Sequence, residues 1–277
     1  MISPSLLQTP KPPYGDQRKR WGQLYGSADA LAIAGAAAQH DGLTLVVCKD
    51  EQEAWRFEQA LPFFAADTNI LHFPDLETLP YDMFSPHQDI VSQRLTALYR
   101  LPSLKRGILL VSLNTLLQRL PPEQFVASSS FLLKAGDSVD IEDLRRNFEQ
   151  AGYQAVDQVI EHGEFAVRGG LIDLYPMGSN SPFRIDLFDD EVESIRSFDP
   201  ETQLSVDKVD AIRLLPAREF PQHKESIDGF RQRYRVAFAD SDMNVSTVYR
   251  QVSDGSMPGG IEYYLPLFFD ELATLFD

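Results

Sequence analysis

Three arginines, Arg168, Arg184 and Arg196, lie far apart in a stretch of the chain that is otherwise rich in acidic residues, GEFAVRGGLIDLYPMGSNSPFRIDLFDDEVESIRSFD. A guanidinium group presents its N–H donors in a planar fork, so each arginine could bind a carboxylate or a phosphate through two parallel hydrogen bonds. Three roles suit such residues: a catalytic site, a binding surface and structural ion pairing. The rest of the sequence is needed to choose among them.

Arg184 and Phe188 are expected on the same side of one strand. In FRIDLFDD the apolar and polar positions alternate, which predicts a strand with Arg184, Asp186 and Phe188 on one face. A large aromatic side chain beside an arginine, rimmed by acids, has the composition of a protein-binding hot spot. In the alternative interpretation, Arg184 pairs with Asp186 or with an acid on a neighbouring strand, and Arg196 pairs with Glu193. From the residues alone, both interpretations stay open.

The motifs of nucleotide hydrolysis and of nucleophilic catalysis are missing from the sequence. Where a phosphate-binding loop is expected, the chain has YGSADALAIAG, without the Gly-Lys-Ser/Thr that contacts phosphates and magnesium. No Gly-x-Ser-x-Gly elbow occurs, and no two histidines have the i, i+4 spacing of a helical metal site. We therefore predict no catalytic residue, no metal site and no bound cofactor in this chain.

The charge of the chain makes nucleic acid an unfavourable ligand. Acidic residues outnumber lysines and arginines 41 to 25, which gives a net charge of −16. Binding to phosphate groups depends on clustered Lys and Arg, and a negative field repels DNA. The predicted ligand is therefore a protein with a basic or mixed surface.

The single cysteine, Cys48, lies in the apolar run LTLVVC. One cysteine allows no internal disulfide, and a thiol in a buried strand usually behaves as a small hydrophobic side chain. We therefore expect a reducing, cytoplasmic compartment. No apolar signal-peptide run is present, and no segment approaches the roughly 18 apolar residues of a membrane span.

Helices and strands alternate in the first part of the chain. SADALAIAGAAAQH predicts a helix with Ser27 as its N-cap, and EQEAWRFEQALPFF predicts a second helix that ends at Pro62. GLTLVVCKD, TNILHFP and RGILLVS predict strands, of which GLTLVVCKD has the continuous apolar pattern of a buried parallel strand. This alternation is typical of an open α/β layer.

The pattern changes near LPPEQF. IEDLRRNFEQAGY predicts an amphipathic helix closed by Gly152, and short strands separated by Gly, Pro and Asn follow it. These features predict a small antiparallel α+β unit. Helices return in SIDGFRQRYRVAF and STVYRQVSDG.

Two long stretches, LETLPYDMFSPHQDIVSQRLTALYRL and VIEHGEFAVRGGLIDLYPMGS with the following FRIDLFDDEVESIRSFD, closely resemble the N-terminal region of the bacterial transcription-repair coupling factors. The layout is also similar to that of the excision-repair helicase UvrB. The resemblance covers nearly the whole chain. It implies an α/β fold, in which a UvrB-like, degenerate P-loop (RecA-like) domain carries an inserted small α+β antiparallel-sheet domain and is followed by a further segment.

The sequence predicts a division into four parts. Residues 1–22, with four prolines and few apolar residues, are expected to form a flexible N-terminal arm that the resemblance does not cover. The resemblance implies that residues 23–121 are the α/β domain 1a, without a functional Walker A motif. Residues 122–214 would be the small α+β domain 2, which docks UvrA. Residues 215–277 would be a domain 1b segment, truncated at its C-terminal end.

In that family the N-terminal module recruits the damage-recognition ATPase UvrA to lesions where RNA polymerase has stalled. The family's UvrA-docking residues fall on Arg168, Arg184 and Phe188, whereas Arg196 is expected to be structural. The chain would be an adaptor that mimics UvrB without ATPase activity, and not an enzyme. The full-length protein would be an ATP-dependent translocase that binds ATP, magnesium, double-stranded DNA and RNA polymerase, and its C-terminal domain could contact this module.

Two other functions compete with the adaptor. One is a UvrB-like helicase or ATPase whose phosphate loop has diverged, and the other is a DNA-binding module in its own right. The absence of the Gly-Lys-Ser/Thr signature argues against the first, and the net charge of −16 argues against the second.

Overall fold

The computed structural model describes residue 18, residues 20–240, residue 243 and residues 246–277. The predicted arm, residues 1–22, lies almost wholly outside these residues. The helices and strands follow one another in this order: α1 (Ala28–Ala38), β1 (Leu43–Cys48), α2 (Glu51–Phe64), β2 (Ile70–Phe73), α3 (Gln88–Arg100), β3 (Gly107–Ser112), α4 (Leu113–Leu116), α5 (Glu123–Ser128), β4 (Phe131–Lys134), α6 (Ile141–Gln150), β5 (Gln154–Ala155), β6 (Glu164–Arg168), β7 (Leu171–Leu174), β8 (Phe183–Phe188), β9 (Glu191–Phe198), β10 (Ser205–Val209), β11 (Ala211–Leu214), α7 (Lys224–Ala237) and α8 (Thr247–Ser253).

The chain forms two compact units. Unit 1 comprises the residues up to Asp75 together with Arg100–Gln118, and unit 2 comprises Leu76–Tyr99 and Arg119–Asp277. The prediction of a mixed α/β protein with several sheets is confirmed. The UvrB-like arrangement and the four-part division remain predictions. Among the described residues, none of the helices has the length and apolar character needed to cross a membrane.

Unit 1 is built on a three-stranded parallel sheet in the order β1-β3-β2. One face of this sheet, with Ile108 and Leu110, packs against α1 and α2. The buried residues of α1 are all alanines, and α2 contributes Phe57 and Leu61. Small side chains let the backbones of packed helices approach each other, so the alanine-rich sequence suits a helix that lies against both a helix and a sheet.

Two details of unit 1 differ from the sequence-based expectations. α2 continues past Pro62 to Phe64, because a proline in the last turn removes only one backbone hydrogen bond. β1 was expected to be buried, but it lies at the edge of the sheet, and Leu45 and Val47 are more than one-third exposed. By contrast, Cys48 is buried as predicted, and burial raises the pKa of its thiol to about 11, which disfavours the reactive thiolate.

Unit 2 contains a six-stranded sheet in the order β10-β9-β8-β7-β6-β5, antiparallel except for the short β5–β6 pair, and a two-stranded sheet of β11 and β4. One face of the larger sheet, with Ile172, Ile185 and Ile195, packs against Phe148 of α6 in the main core. Leu95 of α3 is fully buried in the same core. α7, α8 and a 3-10 helix at Ile261–Leu267 enclose a second, aromatic-rich core.

A buried ion pair joins α3 to the segment that follows β11. Nε of Arg94 lies 2.5 Å from Oε1 of Glu219, and the terminal Nη2 lies 3.2 Å from Oε2. The exposed fraction is 2% for the Arg94 side chain and 8% for that of Glu219. Because each charge is removed from water, each depends on the other for compensation.

We predict that Glu219→Gln lowers the free energy of unfolding by about 3–5 kcal/mol, because the buried Arg94 guanidinium loses its countercharge. Urea denaturation followed by circular dichroism measures this change. The matched control is Glu149→Gln, which breaks an exposed pair with Arg145 on α6 and should cost less than about 0.5 kcal/mol. Equal costs for the two variants would contradict the prediction. Replacing Arg94 and Glu219 together by methionine should cost less than Glu219→Gln alone.

His72 of β2 gives unit 1 a pH dependence. Burial of the ring opposes protonation, but close contacts with the carboxylates of Glu51 and Glu58, at 2.8 and 2.9 Å, outweigh burial and raise the pKa of His72 to about 9. A pKa raised above that of the unfolded chain stabilises the fold fully below about pH 6.5, and this contribution is lost as the pH rises through 9. The shift corresponds to roughly 3 kcal/mol.

We therefore expect the stability of unit 1 to fall between pH 6.5 and 9.5. Both tryptophans of the chain, Trp21 and Trp55, lie in unit 1, so urea denaturation followed by tryptophan fluorescence reports on this unit. His72→Gln cannot titrate and should show a clearly smaller fall over the same range. The same pH dependence in His72→Gln as in the wild type would show that other groups are responsible.

Candidate functional site

The face of the six-stranded sheet opposite the main core carries the predicted site residues. We call it the arginine face and define it by Arg168 of β6, Asp173 of β7, Arg184 and Phe188 of β8, and Arg196 of β9. Asp173 lies directly opposite Arg184, which in turn lies directly opposite Arg196. Since side chains alternate along a strand, Arg184 and Phe188 leave the same face, as the sequence predicts.

A glycine turn places Arg168 at one end of this sheet. Gly169 and Gly170 join β6 to β7, and Arg168 lies opposite Leu171. Gly169 has φ of +62°, a left-handed conformation that favours glycine. A Cβ atom at Gly170 would lie 2.9 Å from the carbonyl oxygen of Leu187. The Gly-Gly pair is therefore required both by the turn and by the neighbouring strand.

A second turn places Phe188 at the same end. Asp189 and Asp190 join β8 to β9, and Phe188 lies opposite Glu191. Asp189 adopts φ of +50°, which an aspartate tolerates better than most residues. The Phe188 side chain is 71% exposed. An aromatic ring this exposed, on a defined hairpin, is free to contact a partner.

Arg184 is held in place by three residues of the sheet and its border. Its Nε and Nη2 donate to the two oxygens of Asp173 at 2.7 and 2.9 Å, and its Nη1 donates to the carbonyl oxygen of Gln203 at 3.2 Å. Its guanidinium carbon also lies 4.9 Å from the ring centre of the buried Phe198. The hydrogen bond with Asp173 raises the pKa of Arg184, so its positive charge is permanent.

Arg168 shares the same acid but is far more open. Its Nη2 donates to Oδ2 of Asp173 at 2.5 Å, while its side chain is 53% exposed. The Asp173 side chain is completely buried, and that of Arg184 is 19% exposed. One buried carboxylate therefore holds two guanidinium groups, of which the group on Arg168 faces solvent.

Arg196 has a weaker partner. Its Nη1 lies 4.0 Å from Oδ2 of Asp186, and the same oxygen accepts a hydrogen bond from Ser194 at 2.8 Å. The sequence-based alternative paired Arg196 with Glu193, whereas the ion pair that the structure forms is with Asp186. The expectation that Arg184 could pair with an acid on a neighbouring strand is met by Asp173.

Asp173 is the residue of this face that the sequence analysis missed. An acid within the apolar run LIDL was the available signal, because a carboxylate inside a buried strand must be paired. No group of three or more His, Cys, Asp or Glu residues within the described part of the chain could hold a metal ion. Arg168 and Phe188 lie at the same end of the sheet, so the arrangement suits recognition of a partner's acidic groups by Arg168 and of its apolar groups by Phe188.

Comparison with known proteins places this face in a defined class of domain. Residues 131–220 match the UvrB interaction domain family, and this range contains the whole arginine face. The chain is 46% identical over 273 residues to the transcription-repair-coupling factor of Haemophilus influenzae and 46% identical over 257 residues to that of Escherichia coli. The corresponding factor of Bacillus subtilis is 29% identical over 267 residues.

The chain therefore belongs to the transcription-repair-coupling factor family, in which it corresponds to an N-terminal module. The aligned segments cover 99% of this chain and 24% of the Haemophilus protein, and 93% of this chain and 22% of the Escherichia protein. The chain thus spans about a quarter of the length of the curated relatives that it matches. The resemblance inferred from the sequence is confirmed.

The geometry predicts different stability costs at Arg184 and Phe188. Arg184→Ala removes the bidentate partner of a fully buried carboxylate and should lower the free energy of unfolding by about 3 kcal/mol. Phe188→Ala removes an exposed ring and should stay within about 0.5 kcal/mol of the wild type. Urea denaturation of both variants tests this difference. An Arg184→Ala variant as stable as Phe188→Ala would show that Asp173 does not depend on Arg184.

Proposed function

We propose that this chain is the module of a transcription-repair coupling factor that recruits UvrA to lesions where RNA polymerase has stalled. The observation that carries the proposal is the UvrB interaction domain match over residues 131–220. Within that range, the arginine face combines Phe188 with the half-exposed Arg168. We propose that UvrA binds here, through Arg168, Arg184 and Phe188.

The contacts of these residues suggest different roles in binding. Phe188 offers an apolar ring that would be desolvated at the centre of an interface. Arg168 contacts Asp173 through one terminal nitrogen, so its remaining N–H donors can bind carboxylates of UvrA. Arg184 has most of its donors engaged within the sheet and would contribute mainly by supporting this surface.

We further propose that the module mimics UvrB without ATPase activity and is not itself an enzyme. YGSADALAIAG lacks the lysine and the hydroxyl residue that phosphate and magnesium binding require, so we expect no ATP or metal cofactor on this chain. In the whole protein, ATP and magnesium would be bound by the motor, which would act on double-stranded DNA and RNA polymerase. A contact between this module and the C-terminal domain, and a cytoplasmic location, belong to the same proposal.

The test is a titration of purified UvrA with the chain and three single variants. We expect Arg168→Ala and Phe188→Ala each to weaken binding by about 2 kcal/mol or more, because both side chains would be central to the interface. Arg196→Ala is the matched control, since it removes the same kind of side chain from the same face. It should change affinity by less than about 0.5 kcal/mol.

Four results would test the proposed function, the binding surface and the two alternatives. If the wild type does not bind UvrA, the proposed function is wrong. If it binds and Arg168→Ala and Phe188→Ala bind as tightly, UvrA docks elsewhere on the chain. Stabilisation of the chain by ATP would favour the ATPase alternative, and salt-sensitive binding to duplex DNA would favour the DNA-binding alternative.

A further inference from the structure

We infer that Asp173 positions the arginines of the arginine face. Arg168 in particular depends on Asp173 for the geometry in which it binds a partner. This inference rests on the proposed function, because it concerns the same surface. Asp173 is completely buried and accepts hydrogen bonds from Arg168 at 2.5 Å and from Arg184 at 2.7 and 2.9 Å. It cannot contact a partner itself, so any effect of Asp173 on binding must pass through the two arginines.

The physical role of Asp173 is to order a long and otherwise mobile side chain. An exposed arginine loses rotamer entropy when a partner fixes it, and that loss weakens binding. The contact with Asp173 fixes the guanidinium of Arg168 before the partner arrives. Arg184 completes the arrangement, because its hydrogen bond to the carbonyl oxygen of Gln203 and its contact with the Phe198 ring keep the shared carboxylate in place.

The charges of this group define what it should bind. Two guanidinium groups share one carboxylate, so Arg168, Asp173 and Arg184 together carry one net positive charge, although the whole chain carries −16. The exposed part of that charge is on Arg168. We therefore infer that the matching feature of UvrA is a carboxylate beside an apolar pocket for Phe188. The planar guanidinium group of an arginine matches the geometry of a carboxylate.

Asp173→Asn tests the positioning role, because the amide keeps the size of the side chain but points N–H groups at a guanidinium. We expect UvrA affinity to fall about tenfold or more. Asp186→Asn is the matched control, since it removes one negative charge from the same face. If general electrostatics governed binding to an acidic partner, both variants would bind more tightly, because each removes a negative charge. A loss of affinity confined to Asp173→Asn therefore indicates positioning.

A double variant separates positioning from general damage to the fold. In an Arg168→Ala background, Asp173→Asn should reduce affinity by clearly less than it does in the wild type, because the group that it orders is gone. Equal losses in the two backgrounds would show that Asp173 acts independently of Arg168 and would overturn the inference. If Asp173→Asn does not fold, Asp173→Ser replaces it, since the smaller side chain leaves room for a water molecule between the guanidinium groups.

Side-chain NMR relaxation of the wild-type chain tests the same inference without UvrA. The guanidinium of Arg168 should be more restricted than that of Arg196, whose acid lies at 4.0 Å although the two side chains are similarly exposed. Equal mobility would overturn the positioning role, whether or not UvrA binds. Failure of the wild type to bind UvrA, together with a restricted Arg168, would refute the proposed function and leave the positioning role supported.

Discussion

The arginine face depends on one electrostatic requirement, the compensation of a carboxylate buried in the middle of a sheet. Asp173 is fully buried, and an ionised carboxylate in that position is stable only when cationic donors surround it. Arg184 supplies a bidentate partner from the adjacent strand, and Arg168 donates a single hydrogen bond from the end of β6. The same requirement that stabilises the sheet therefore orders the cation that faces solvent.

The core beneath this face extends beyond the residues of the UvrB interaction domain. Residues 131–220 match that family, yet Leu95 of α3 is buried in the same core as Ile172 and Ile185. The Arg94–Glu219 ion pair fixes α3 to the end of the matched range. The arginine face thus lies on a core assembled from segments that are distant along the chain.

The chain lacks the sequence features of a nucleotide-binding enzyme and exposes features of a binding surface. A phosphate-binding loop would require a Gly-Lys-Ser/Thr sequence that the chain lacks, and its net charge disfavours nucleic acid. What the chain presents is an exposed aromatic ring and a half-exposed arginine that donates a hydrogen bond to a buried carboxylate. These features suit recognition of another protein, for which pre-organised contacts matter more than reactive groups.

The sequence by itself determined the features that depend on local pattern. The alternation in FRIDLFDD placed Arg184 and Phe188 on one face, and Gly152 marked the end of α6. Only the tertiary structure decided that β1 lies at an edge and that the partner of Arg184 is Asp173, eleven residues earlier on the neighbouring strand. Periodicity predicts which side chains share a face within one strand. The pairing between strands is set by register and turn geometry, and it brings together residues that no local sequence pattern relates.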